Sequence, residues 1–348
     1  MNATGRTSAT VPRKIVLVTP TFHDYATSIA QAFERAGHEV VTLRYDAYVT
    51  VKDKARLKAT VELPSKLHLP GDHAGREKRR VTDSVLAALT EARPDGVVVI
   101  KGDMLDDRFW AHLDAHRIPR ILWLYDDLHR HPYTPEFLAQ LGPVVSYSEQ
   151  EAAMLREQHG VDATWVPDAF DPHRAQPTGR RVDRIAFVGA AHADRVRILQ
   201  DLTDRGLPVH AWGRDFSHHP MDRLRTWGWK RPSIPASRDI PLTEAYQVVG
   251  ESSASVNIHG PQTDHPMRTF EVPGMAGVSL EDRASVARFY DVGTEVEVWE
   301  NLDHLAELCE RSRKDRVWSE GMREKGRART LAEHTFDHRI TEVDALWR

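Results

Sequence analysis

The stretch Ala254–Asp282 reads ASVNIHGPQTDHPMRTFEVPGMAGVSLED, and its reading decides the fold. ASVNIH alternates and runs into turn residues, which predicts a strand. GPQTDHP is a loop rich in Gly, Pro and Asp. The residues after Pro266 space as a helix that Gly277 stops, and VSLED is a short strand. A loop running from a strand end into a helix start gathers unpaired backbone N–H groups and the positive end of the helix dipole. Such a turn suits a phosphate or a carboxylate. His259, Arg268 and Glu271 stand at or near it. A guanidinium forks onto phosphate oxygens, and a carboxylate accepts from sugar or ribose hydroxyls. The same pattern also describes any αβ unit with a solvated arginine and glutamate on its surface.

Outward from this stretch the chain repeats one theme. KIVLVT (14–19) is a continuous apolar run, as expected of a strand buried on both faces of a parallel sheet. A loop PTFHDY, a helix ending at Gly37 and a strand 39–45 follow, which is a βαβ opening. Further helices are expected over 77–92, 106–116, 135–141 and 149–159, with strands over 96–101, 120–124, 144–147 and 164–166. Residues 46–76 are polar and basic, and fit either a solvated surface helix or an insertion. After the proline-rich, charged stretch 171–183 the pattern restarts, with strands over 184–189 and 209–212 and helices over 193–205 and 244–252. Residues 302–347 read as helical with one break near His334–Thr335. The expected class is α/β, with two Rossmann-like doubly wound domains facing a cleft. The expected divisions are a tail over 1–12, a first domain over 13–170, a linker over 171–183, a second domain over 184–334, and a closing helix over 335–348.

Composition narrows the classes of function. With 348 residues there is room for two domains, and 41% hydrophobic with 28% charged residues is the balance of a soluble globular protein. A formal net charge of −4, with both signs interspersed, argues against a nucleic-acid polymer as partner. The single cysteine, Cys309, excludes an internal disulfide and a cysteine-based zinc cluster, and fits a reducing cytoplasm. MNATGRTSATVPRK has no apolar core of a leader, and no apolar stretch is long enough for an integral membrane segment. The loops PTFHDY and GAAHAD lack the Gly-x-Gly-x-x-Gly of a dinucleotide site, and no Gly-Lys-Ser/Thr phosphate loop occurs.

In open parallel sheets ligands bind at the carboxyl ends of strands. Candidates there are His23 and Asp24, then Asp126 and Asp127, then Gly189, Gly213 and Arg214, and the central stretch itself. Adjacent side chains at a strand end point apart, so Asp126–Asp127 reads as a polar loop rather than a metal chelate. His129, His131, His218 and His219 read as surface histidines in a chain with nineteen of them. Trp227 and Trp229 fit stacking on a nucleobase or an acceptor ring, or packing in the core or at its rim.

Several segments carry a resemblance. HGPQTDHPMRTFEVPGMAGVSLED is similar to the "Asn-x-His … Met-Arg-Thr-Phe-Glu-Ala … Gly … Asp" segment of CgeB-like, spore-maturation-protein-type glycosyltransferases, relatives of glycosyltransferase family 4 with a GT-B fold. VVVIKGDML, ILWLYDD, WVPDAFDP, IAFVGAAHADRVRIL, HAWGRDF and LAEHTFDHRI resemble further segments of that family, so the resemblance runs over nearly the whole chain. It implies transfer of a sugar from a nucleotide-diphosphate donor, bound by the second domain, to an acceptor. The acceptor expected is a small metabolite. Glu271 matches the second glutamate of the family's Glu-x7-Glu motif, which implies a place at the ribose. The resemblance places Arg268, Thr269 and His259 at the diphosphate or donor sugar, and Gly189, Gly213 and Arg214 near the phosphates. Retention of configuration, no metal, no cofactor beyond the nucleotide sugar, and a last helix crossing back to the first domain are implied as well. An inverting enzyme would need a base, for which His23, Asp24, Asp126 and Asp127 are the candidates. The chain departs from the pattern at Thr263, which stands in place of the motif's first glutamate, and at Pro273–Gly274, which is expected to kink or shorten the helix. A nucleotide-sugar 2-epimerase and a non-catalytic two-lobed binding protein are the competing readings.

Overall fold

The computed structural model describes residues 11–46, 55–67 and 70–347. Most of the expected tail, and residues 47–54 and 68–69 of the ambiguous stretch, lie outside the described residues. The chain forms two compact units, one of Met1–Val166 with Arg339–Arg348 and one of Pro167–His338.

The first unit is a six-stranded sheet in the order β2-β1-β3-β4-β5-β6. Its strands are β1 (Lys14–Thr19), β2 (Glu39–Arg44), β3 (Gly96–Ile100), β4 (Arg120–Trp123), β5 (Val144–Ser146) and β6 (Ala163–Trp165). Every pairing is parallel. All of β3 and all of β1 except Lys14 are buried, as a sheet covered on both faces requires. The helices are α1 (Tyr25–Arg35), α2 (His73–Ala92), α3 (Asp107–Ala115), α4 (Pro135–Leu141) and α5 (Glu149–His159). Val16, Val97 and Leu122 pack with Leu89, Phe109 and Leu155 in the core. The helix expected from Glu77 starts at His73, because the Asp72 carboxylate accepts from Gly75 N at 2.8 Å and caps it. Glu77 is instead a buried residue of the second turn, paired with Arg56 at 2.8 Å and Arg80 at 2.7 Å. Lys58–Glu62 is a π-helical turn that leads into the short helix Leu63–Lys66.

The second unit has strands β7 (Val182–Val188), β8 (Val209–Trp212), β9 (Ala236–Ser237), β10 (Ser252–Val256), β11 (Ser279–Glu281) and β12 (Glu297–Val298). Its sheet is also parallel, in the order β12-β11-β10-β7-β8-β9. The chain winds from β7 outward to β9, then restarts on the other side of β7 with β10. The carboxyl ends of β7 and β10 therefore flank the switch point, where open α/β sheets bind ligands. The helices are α6 (Ala193–Asp204), α7 (Pro220–Thr226), α8 (Leu242–Glu251), α9 (Arg268–Gly274), α10 (Leu302–Lys314) and α11 (Arg316–Glu333), and α12 (Phe336–Asp344) starts in this unit and runs into the residues that count with the first. The C-terminal helical stretch has a second break, at Asp315, whose carboxylate accepts from Trp318 N at 3.0 Å and starts α11.

The expected linker 171–183 packs into the second unit. Phe170 bridges to Thr335, its ring lies 5.1 Å from that of Tyr246, and Asp171 is fully buried. The last residues of the chain count with the first unit. There Asp344 meets His38 at 3.1 Å, and the Trp347 ring occupies the place a side chain at Gly96 would take.

Candidate functional site

The helix α9 is buried nearly all round: Thr269, Phe270, Glu271, Val272, Pro273 and Gly274 are inaccessible. It is shorter than its sequence pattern. Pro273 has no N–H for the ladder, and the turn closes through Met275 N to Glu271 O and Gly277 N to Val272 O, at 2.9 and 2.8 Å. The left-handed residue after the helix is Ala276, at φ 54°, and not Gly277. Gly277 is small for another reason: a Cβ there would stand 2.6 Å from the Val249 carbonyl oxygen.

Two polar clusters meet at this helix. On one side Arg268 Nη1 lies 2.7 Å from Glu271 Oε2, one turn apart. The contact is off the N–H axis, and the buried Arg268 Nε has no hydrogen-bond partner. Tyr246 of α8 is fully buried beside them. Burial first, and the Glu271 charge next, pushes its phenol well above the usual tyrosine range. The Tyr246 hydroxyl accepts from Asp171 N at 3.4 Å, and Asp171 is within 3.6 Å of Arg174. On the other side Thr269, Asn257, His259 and Glu281 form a hydrogen-bonded core. Asn257 Nδ2 donates to Glu281 at 3.0 Å and to the Thr269 hydroxyl at 3.2 Å, and Ser279 donates to Glu281 at 2.7 Å. His259 Nδ1 is held by the Asp282 carboxylate, and His259 Nε2 is 3.4 Å from the Thr269 hydroxyl. Burial raises the Glu281 carboxyl above its ordinary range.

His259, His265 and Glu281 place their donor atoms within 4.8 Å of one another, which is a donor set a transition metal uses. Glu281 and His259 already have hydrogen-bond partners, and the start of α9 adds positive potential. Burial, then His259, Arg288 and Arg283, pulls His265 down to about 3.

Around the switch point the loops after β7 and β8 touch. A Cβ at Gly213 would stand 2.2 Å from the Gly189 carbonyl oxygen, so only glycine fits there. Arg195, in the first turn of α6, ties the same loop to the central one. It donates to Ile258 O at 2.8 Å, and to Ala190 O, His259 O and Gln262 Oε1 at 3.4 Å. Arg214 lies further out, exposed and 3.4 Å from Asp239. The structure thus gathers Gly189, Gly213, His259, Arg268, Thr269 and Glu271 at one end of one sheet. Sequence reasoning missed Tyr246, Asp171 and Arg195. The arginine stood in a segment already noted, but helical spacing alone did not set it apart from its charged neighbours.

At the carboxyl ends of the first unit's strands, His23 and Asp24 both have left-handed backbone, at φ 41° and 65°. Asp24 accepts from Thr27 at 2.7 Å and Arg44 at 3.1 Å, while His23 is exposed. Asp126 pairs with Lys101 at 2.9 Å and Arg130 at 3.3 Å. Asp127 is fully buried, accepts from the Tyr147 hydroxyl at 2.5 Å and lies 3.7 Å from Arg130. The two neighbouring carboxylates thus converge on one guanidinium instead of pointing apart. The alternation rule fails because β4 has ended at Trp123 and Tyr125 is left-handed, at φ 60°. His129 is exposed, as are His218 and His219, but His131 is buried.

The fold is that of the GT-B glycosyltransferases, two parallel six-stranded α/β units. A family model described as "Glycosyl transferase-like" matches residues 195–345, a little under half of the chain. Sucrose-phosphate synthase from Thermosynechococcus elongatus superposes with a TM-score of 0.63 at 12% identity, covering 96% of this chain and 98% of that one. Anabaena Alr3699/HepE in complex with UDP-glucose gives 0.62 at 10% identity, covering 96% and 99%. A protein assigned as a UDP-N-acetylglucosamine 2-epimerase from Listeria monocytogenes gives 0.57 at 11% identity, covering 96% and 95%. No curated protein sequence matches the chain. Among the described residues no helix is long and apolar enough to cross a membrane.

Proposed function

We propose that the protein is a glycosyltransferase that moves a sugar from a nucleotide-diphosphate donor to a hydroxyl of a small-molecule acceptor. One observation carries the reading. The half-buried Arg268 keeps a buried Nε–H without a hydrogen-bond partner beside the buried Glu271 carboxylate, at the switch point of a parallel sheet. Buried donors are almost always satisfied, so the position asks for an acceptor-rich ligand. Arg268 serves the diphosphate, with the start of α9 adding its dipole. Glu271 accepts from the ribose hydroxyls. Thr269, supported by Asn257 and His259, fixes the helix start, and Arg195 holds the two phosphate-side loops in register. Gly189 and Gly213 keep side chains out of the approach, and Arg214 adds a cation at the rim.

The transition state has oxocarbenium character and a departing diphosphate, whose charge Arg268 and the helix end stabilise without a metal. Retention is the stereochemical outcome we assign. The engagement of Asp24, Asp126 and Asp127 with cations and hydroxyls supports it, since each is occupied in a role other than that of a free base. Of the four base candidates for an inverting route, His23 is the exposed one. The anomeric configuration of the product, read by NMR, decides between the two.

UDP, GDP, TDP and ADP, and sugars carried on them, are the ligands to screen by thermal shift. At least one raises the melting temperature by several degrees, and Arg268→Ala abolishes the rise without lowering the unliganded melting temperature comparably. Failure of all nucleoside diphosphates to bind in calorimetry would overturn the proposal. The Listeria match supports a second reading, a nucleotide-sugar 2-epimerase. That enzyme would convert the donor with no acceptor present.

A further inference from the structure

Exposed apolar side chains concentrate in one segment of the second unit. Ten large apolar residues are exposed among the described residues, and four of them, Met221, Leu224, Trp227 and Trp229, fall within nine consecutive positions. Single exposed apolar residues are ordinary, but a run of them marks an interaction surface. Met221, Leu224 and Trp227 follow each other at helical spacing along α7 and its end, so they share one side. Trp229 is 68% exposed and Trp227 50%.

The backbone is built to hold this display. Trp227 ends α7 in the left-handed region, at φ 54°, where glycine or asparagine is the usual residue. Arg231 pins the turn, donating to the Asp215 carbonyl at 2.5 Å and to the Thr226 hydroxyl at 2.6 Å. The charge is one-sided. Residues 218–231 carry Arg223, Arg225, Lys230 and Arg231 against one acid, Asp222, in a chain of net charge −4. Asp222 is buried and held by Arg238 at 2.8 and 3.0 Å, while Arg225 and Lys230 are exposed among the indoles.

We propose that this surface docks on an anionic phospholipid bilayer. Trp227 and Trp229 sit at headgroup depth, Met221 and Leu224 reach the acyl boundary, and Arg225 and Lys230 meet lipid phosphates. Indoles favour that depth because one end of the ring is apolar and the other donates a hydrogen bond. The segment offers apolar side chains to insert and exposed cations to meet lipid phosphates on the same short stretch of surface. A protein interface gathers its apolar residues in a centre depleted of charge. A two-fold contact centred on this patch would bring two copies of the same basic cluster together. The inference concerns where the protein works and is independent of the reaction proposed above.

The test is sedimentation of the full chain with vesicles of phosphatidylcholine alone or mixed with phosphatidylglycerol. The expected result is binding to the mixed vesicles that weakens as salt rises towards ~0.5 M. Trp227→Asn with Trp229→Ser, and separately Arg225→Glu with Lys230→Glu, lower the bound fraction at least ~tenfold, with melting temperatures unchanged. Asparagine tolerates the left-handed backbone, so the first pair leaves the turn intact. Absence of binding to mixed vesicles, or binding that both double variants retain, overturns the proposal. So does a concentration-dependent dimer that either pair abolishes while vesicle binding persists.

Discussion

His265 shows how one residue's surroundings become a property of the whole. Burial first, then His259, Arg288 and Arg283, brings its imidazole from an ordinary 6.5 down to about 3. Between those values the unfolded chain holds a proton that the folded chain does not. The contribution to stability is therefore complete above 6.5 and is lost as pH falls towards about 3. His131 and His210, also lowered by burial, act in the same direction. Glu281, raised by burial, acts in the opposite one, its cost easing as pH falls. His265→Gln removes one share of the acid sensitivity. Between pH 7 and pH 5 the melting temperature of the wild type is expected to fall ~5 °C further than that of the variant. Scanning calorimetry at the two pH values checks it. Arg268 and Glu271 were legible in the sequence because their helix start is a local pattern. Tyr246 and Asp171 were not, because they reach the same place from α8 and from a stretch that reads as a linker. The Asp126–Asp127 pair lies in a polar loop as read, but its side chains share Arg130 instead of pointing apart, because the strand ends before them.

Among the elements, α8, α9, β10 and α11 are joined by a single side chain. Arg323 of α11 is buried and spends its hydrogen bonds on backbone carbonyls. It donates to Gly250 O at 2.8 Å, Ala276 O at 2.7 Å, Ser252 O at 2.6 Å and Ser253 O at 3.0 Å. These are carbonyls at helix ends and at a strand start, which lack a ladder partner of their own. Desolvation lowers the guanidinium to about 10, which still leaves it charged at neutral pH. Arg323→Met keeps the volume and strands the carbonyls, at an expected cost of ~3–5 kcal/mol. Denaturant titration reads the loss as an earlier midpoint. Most strands and helices were visible in advance, because buried parallel strands are apolar runs and glycine or proline closes them. The two-residue strands β9 and β12 carry no period to detect. The start of α2 and the break at Asp315 depend on aspartate caps, which look like any other acid in a charged stretch.

For the molecule as a whole, the two α/β halves were readable from the restart of the strand pattern, but their limits were not. The second unit begins at Pro167, so Phe170 and the supposed linker belong to it, whereas the end of the chain counts with the first unit, in line with the closing helix expected to cross back. Deleting residues 339–348 removes buried Ile340 and Val343, each worth about 1.5–3 kcal/mol, together with the contacts of Asp344 and Trp347. The expected outcome is faster amide exchange in β1, β3 and α1, with β7, β10 and α9 unchanged. Equal loss in both units would contradict the assignment. The order of synthesis follows from the same feature. The second unit is one unbroken run, Pro167–His338, and all of it is synthesised before Arg339 is added. The first waits for its last ten residues, so the half begun earliest is the half completed last.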